Sequence, residues 1–156
     1  MKEQRRGRRI AMTPEERDSF LTTERTCRVA SLGADGGPHN SALWFVWDGT
    51  SLWLNTIVKS QRWTNLLRDP RVSILVDGGE SYGELQGVEL LGRVEPVGSA
   101  PRVDEPDASL EVPEKLFGDK YAGGAFRPDG AHAWLRLTPD KIVSWDFRKM
   151  GAASQG

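Results

Sequence analysis

Apolar and polar residues alternate along much of this chain with the period of two that marks β-strands. Cys27-Arg28-Val29-Ala30-Ser31-Leu32 alternates in this way, and so do Val72, Ile74 and Val76. Val88, Leu90 and Val94 share one face of a longer strand expected between Tyr82 and Val97. Turn signals separate these runs at Asp35-Gly36-Gly37-Pro38, Asp48-Gly49 and Asp77-Gly78-Gly79. The stretch from His39 to Trp47 differs, because both of its faces are apolar: Ala42, Trp44 and Val46 on one, Leu43, Phe45 and Trp47 on the other. A barrel wall buries one face only, so the other calls for a cover, either a partner subunit or a flat ligand. Ser51 to Thr56 follows as the next strand. His132 to Phe147 reads as a closing hairpin that turns at Thr138-Pro139-Asp140-Lys141.

Helical patterning is scarce. Thr13-Pro14-Glu15-Glu16 has the form of a capping box with proline at the first helical position, which predicts a helix to about Thr23 with Phe20 and Leu21 inward. Ser60 to Arg68 predicts a short helix with Trp63, Leu66 and Leu67 on one side, stopped at Asp69-Pro70. The acidic stretch from Asp104 to Asp119 reads as a surface loop and a helix ending near Tyr121. Strands joined by short turns, with few helices, point to an antiparallel barrel with helices packed outside it.

Composition narrows the functional classes. The 156 residues are enough for one domain and carry a formal net charge of −1, which argues against a nucleic-acid partner. Met1 to Arg9 is locally basic; without aromatic residues or amphipathic length, residues 1–10 are expected to be a solvated, poorly ordered tail rather than a membrane or nucleic-acid arm. Residues 11–150 are expected to form the domain itself. Cys27 is the single cysteine, so neither an intramolecular disulfide nor a cysteine-cluster metal site can form. No apolar run is long enough to span a membrane, and no export signal is seen, which makes the cytoplasm the expected compartment.

Nucleotide-loop and hydrolase motifs are missing, and the two histidines, His39 and His132, fit structural or solvated roles better than a general-base role. The informative stretch is Asn55-Thr56-Ile57-Val58-Lys59-Ser60-Gln61-Arg62, which leads from a strand into a helix. The first amides of a helix, with a guanidinium beside them, suit a phosphate. Ser60 would cap, and Lys59 would add a mobile charge. The same residues also fit an ordinary capped helix with solvated cations. Most of the six tryptophans fit core or subunit-interface roles, although an indole can also support a flavin ring.

The order of these motifs, from Asp35-Gly36-Gly37-Pro38-His39 through Trp47-Asp48-Gly49 to Asn65-Leu66-Leu67-Arg68-Asp69-Pro70-Arg71-Val72, resembles the pyridoxamine-phosphate-oxidase-like split β-barrel family, in its flavin- and deazaflavin-dependent branch. The resemblance implies a mainly β, split antiparallel FMN-binding barrel that forms homodimers with cofactor sites between subunits. It implies a ring system against Ser41, Ala42, Leu43, Trp44, Asn55 and Thr56, and a phosphate at Lys59, Ser60, Gln61 and Arg62. Trp145 and Arg148 match C-terminal residues that reach the site in FMN-binding members. The expected activity is hydride transfer to a small organic substrate with coenzyme F420, or alternatively with FMN. A non-catalytic cofactor carrier and a haem-binding relative are the rivals, and haem would need His39, His132, Cys27 or a tyrosine as its axial ligand.

Overall fold

Thr13 starts the first helix, α1 (Pro14–Thr23). Its hydroxyl accepts from the Glu16 amide at 3.2 Å, while the Glu16 carboxylate accepts from the Thr13 amide at 2.9 Å, so the predicted capping box is complete. The computed structural model describes residues 1–153. After α1 come β1 (Thr26–Leu32), β2 (Pro38–Trp47), β3 (Leu52–Ile57), α2 (Gln61–Arg68), β4 (Arg71–Gly78), β5 (Gln86–Val97), α3 (Glu111–Tyr121), β6 (His132–Asp146) and α4 (Arg148–Ala153). The strands close into an antiparallel barrel in the order β1-β2-β3-β6-β5-β4, with β4 returning to β1.

Strand parity divides the apolar residues between two cores. Phe45 and Trp47 of β2, Leu52 and Leu54 of β3, and Ala133, Leu135 and Leu137 of β6 point into the barrel, where they meet Val29, Ile74, Val88 and Leu90. The alternate residues Val46, Trp53 and Trp134 point outward and form a second cluster with Leu110, against Leu116, Phe117, Tyr121 and Phe126. The Val46 end of the second apolar face of β2 thus has a cover within its own chain, which the pattern alone did not assign, while Ala42 and Trp44 of that face stay exposed. On this face Trp44 stacks on Tyr121 with ring centres 4.4 Å apart and planes 7° apart. Tyr121 is fixed in turn, donating to the carbonyls of Arg25 at 2.6 Å and Phe45 at 2.8 Å.

The closing segment departs from expectation. His132 to Asp146 is one continuous strand, not a hairpin turning at Thr138 to Lys141. It pairs with β3 through its first half and with β5 along its length, and Pro139-Asp140 forms an irregularity where Leu91 pairs with Lys141 but Gly92 pairs with Pro139. One extra residue on one strand bends it without reversing it, and so meets the curvature of a closed wall. The carbonyl of Asp140 freed there accepts the Lys2 amide at 2.7 Å. Gln4 adds two bonds with the backbone of Ser144, at 3.0 Å each. Residues 1–10, expected from their charge to be a solvated tail, therefore run along β6, with the side chains of Arg5, Arg6, Arg8 and Arg9 exposed. Composition missed this because the tie is made by backbone groups and one glutamine. Among the described residues no helix is long and apolar enough to cross a membrane.

Candidate functional site

On the outer wall of the barrel, where β2, β3 and β6 run side by side, the second core opens into a cleft of about 740 Å³. Its volume is in the range of small-molecule sites. Ala42 and Trp44 of β2, Asn55 and Ile57 of β3, and His132 of β6 form the strand side. These are the outward positions of each strand, continuing the rows that hold Val46, Trp53 and Trp134. Phe117 of α3 and the loop from Ala122 to Asp129 form the opposite side.

That loop is held at both ends. Phe126 sits edge-on to Phe117 with centres 5.7 Å apart and lies 5.5 Å from Trp134. Asp129 accepts the amides of Ala131 at 2.8 Å and His132 at 3.0 Å, and its other oxygen meets Nδ1 of His132 at 2.5 Å. Partial burial pushes the Asp129 carboxyl up, but these three hydrogen bonds outweigh it and hold its pKa below the usual range. The loop also packs tightly on α3 at Gly118, where a Cβ would stand 2.9 Å from the Phe126 nitrogen and 3.1 Å from Ala125 backbone atoms. We expect Gly118→Ala to destabilise the protein by about 1–3 kcal/mol, because backbone must give way. This outweighs the roughly 1 kcal/mol that alanine adds to a helix. An unchanged or raised melting temperature would contradict that packing.

Arg62 is the cation that the strand-to-helix junction delivers to the cleft. Its Nε donates to Thr56 Oγ1 at 2.8 Å and its Nη1 to Ser41 Oγ at 2.7 Å, which fixes the guanidinium at the barrel mouth and leaves Nη2 without a partner among the described residues. Burial lowers its pKa from the ordinary arginine value without discharging it. Arg102 also lines the cleft, but it is consumed internally: Glu114 pairs with it at 2.8 and 3.1 Å, and the carbonyls of Val103 and Glu105 accept from Nη1. Arg127, exposed on the loop, has no hydrogen bond or ion pair among the described residues.

The residues expected from sequence are therefore only partly brought together. Ala42, Leu43, Trp44, Asn55 and Arg62 line the cleft, and Ser41 and Thr56 support it through Arg62. Ser60 caps α2 by accepting the Trp63 amide at 3.1 Å. Gln61 turns to Asn65 at 2.8 Å, and Lys59 is exposed; neither lines the cleft. Trp145 lies at the opposite end of β6 from His132, with its ring across Gly87, and Arg148 pairs with Asp146 at 2.8 Å, so neither joins the cleft of its own chain. The sequence reading passed over Arg127, Asp129, Phe117 and Phe126. It weighed His132 only as a general base or a haem ligand, although its position opposite Ile57 in the β3–β6 register puts it beside the junction.

A flat, anionic heterocycle fits these groups. Asn55 Oδ1 is buried with no hydrogen-bond partner among the described residues, an acceptor that needs a donor from whatever enters. Arg62 Nη2 and Arg127 supply donors and positive charge around it, and the aromatic side gives a surface for a ring.

Six antiparallel strands closed in this order, with short helices outside and a ligand-sized cleft on the outer wall, make the molecule a split β-barrel protein. A sequence model of the pyridoxamine 5'-phosphate oxidase family matches residues 13–146, and the chain belongs to that family. Among solved structures, it is similar to a conserved hypothetical protein from Mycobacterium tuberculosis at 34% identity and TM-score 0.78, covering 96% of this chain and 93% of that one. An F420 reductase is similar at 23% identity and TM-score 0.56, over 80% of this chain and 94% of the other. The haem storage protein HutZ from Vibrio cholerae is similar at 18% identity and TM-score 0.65, over 86% and 96%. At such identities the last two show the fold alone. No curated protein matches the sequence.

Proposed function

We propose that this chain is an oxidoreductase that binds coenzyme F420, with FMN as the alternative cofactor, in the outer cleft of the barrel. The observation that carries the reading is the buried, unpartnered Asn55 Oδ1 in an aromatic-sided cleft where Arg62 and Arg127 keep free positive charge. Bound there, the cofactor would supply the hydride chemistry. The chain's own part is to hold it. Arg62 anchors the phosphate, Asn55 accepts a ring N–H, and Trp44, Phe117 and Phe126 shield the ring from water. The second cation favours F420, whose tail carries carboxylates beyond the phosphate; FMN has no such tail. We further propose a homodimer. Ala42, Trp44 and Ile57 remain exposed at the rim of the cleft, with Trp44 at 47% and Ile57 at 44%, and a partner would cover them. In such a dimer the Trp145 and Arg148 of one subunit can serve the cleft of the other, a role closed to them within one chain.

Fluorescence titration with F420 and with FMN tests the reading. We expect Arg127→Ala to weaken F420 about tenfold while changing FMN less than twofold, since one charge-assisted contact contributes about 1.5 kcal/mol. Equal losses for both would remove Arg127 from the tail site, and no binding of either would end the cofactor assignment. Binding without turnover would leave a carrier. A haem reading has one observation in its favour: Nε2 of His132 is a free ligand atom in the cleft, whereas Cys27 is fully buried. A Soret band on haem addition that is lost in His132→Ala would turn the assignment that way.

A further inference from the structure

The Asp129–His132 pair has geometry beyond what a loop anchor needs. A carboxylate on Nδ1 fixes the neutral ring as the Nδ1–H tautomer and leaves Nε2 as its free atom. The ring lines the cleft and stands next to the strand-to-helix junction: His132 is opposite Ile57, and the Val58 amide donates to the Ala131 carbonyl at 3.0 Å. The anion-binding end of the cleft and this imidazole are therefore neighbours.

The charged groups lining the cleft can be named element by element. Arg62 comes from α2, Arg102 from the segment before α3, and Arg127 and Asp129 from the loop before β6. Of these, Arg102 is neutralised by Glu114 of α3. The lining residues of β2 and β3, namely Ala42, Leu43, Trp44, Asn55 and Ile57, carry no charge. A phosphate bound at Arg62 offers Nε2 a second anionic partner beside the Asp129 carboxylate on Nδ1, and an anion at Nε2 favours its protonated form.

We propose that His132 takes up a proton as a phosphate-bearing cofactor binds, and that the new Nε2–H donates to a phosphate oxygen. The proton comes from the buffer acid, whose bond to hydrogen breaks and whose conjugate base keeps the electron pair; the Nε2–H bond forms, and Asp129 keeps its hold on Nδ1. This rests on the cofactor reading above and gives the phosphate end of that site a second side-chain contact beside Arg62. Its consequence is that affinity falls with rising pH, by at most about tenfold per pH unit between the free and bound pKa values of the ring.

Isothermal titration with FMN and with F420 at pH 7.5, in buffers of different ionisation enthalpy, reads the proton directly. Wild-type protein is expected to take up a fraction of a proton per site. His132→Gln should take up none, which also subtracts the phosphate's own ionisation, and His39→Gln should behave as wild type. Riboflavin, the same ring without phosphate, should bind without uptake. The 15N resonances of His132 in wild-type protein give a second measurement that needs no variant: Nε2 should move from an unprotonated to a protonated position on FMN addition. Binding without uptake, uptake that survives in His132→Gln, or equal uptake with riboflavin would each overturn the proposal. If neither nucleotide binds, the cofactor reading falls, and this one falls with it.

Discussion

Arg62→Ala is expected to weaken the affinity for both F420 and FMN by about tenfold to a hundredfold, the loss associated with one hydrogen-bonded charge on a phosphate. Both cofactors should suffer alike, because the phosphate is common to them. This separates Arg62 from Arg127, whose loss should be felt by the longer ligand alone. Removing the side chain also takes donors from Thr56 Oγ1 and Ser41 Oγ. Thr56 is fully buried, so a modest drop in melting temperature should accompany the binding loss. Arg62→Lys keeps the charge but cannot satisfy both hydroxyls and still face the cleft, and should fall between the two. Unchanged titration curves for Arg62→Ala would show that the phosphate is held elsewhere.

Trp134→Ala should cost about 3–5 kcal/mol of folding stability, the range for a large aromatic removed from a packed interior. Trp134 is fully buried on the outer face of β6. Its ring meets Trp53 at 6.4 Å, Phe117 at 5.8 Å and Phe126 at 5.5 Å, and its Nε1 donates to Glu114 at 3.0 Å. Glu114 also holds Arg102, so the indole ties the barrel wall to α3 and to the segment before it. The variant should lose cofactor affinity as well, since Phe126 sits on this indole and carries the loop. Chemical denaturation measures the effect, and a loss below about 1 kcal/mol would show that the second core is incidental to the fold.

Much of this architecture was legible in the sequence because local chemistry and global fold agree. Thr13 and Glu16 cap α1 as their spacing predicts, Asp48-Gly49 turns β2 into β3, and Asp69-Pro70 ends α2. The exception at Pro139-Asp140 is instructive, because proline and aspartate mark a turn only where no neighbouring strand demands continuity. Here β5 does, and the residues become a bulge. The candidate site was half legible. Arg62 was found because helix starts and cations are readable from spacing, but Ser60 and Gln61 spend their polar atoms inside α2. Arg127 and Asp129 were not found, and His132 was not tied to the junction, because a loop's position over a distant strand depends on tertiary packing. Gly118 and Phe126 dock it there, and neither residue type advertises such a contact.

The alternation in β3 has a wider meaning. Leu52, Leu54 and Thr56 belong to the interior, while Trp53, Asn55 and Ile57 belong to the outer wall, so neighbours in sequence answer to separate selective demands. Odd-numbered positions of this strand can drift toward a new small molecule while the even-numbered set keeps the scaffold intact. Lengthening the strand by a single residue would exchange the two sets and ruin both at once. Substitutions should therefore diversify this lineage, and insertions should be confined to its turns.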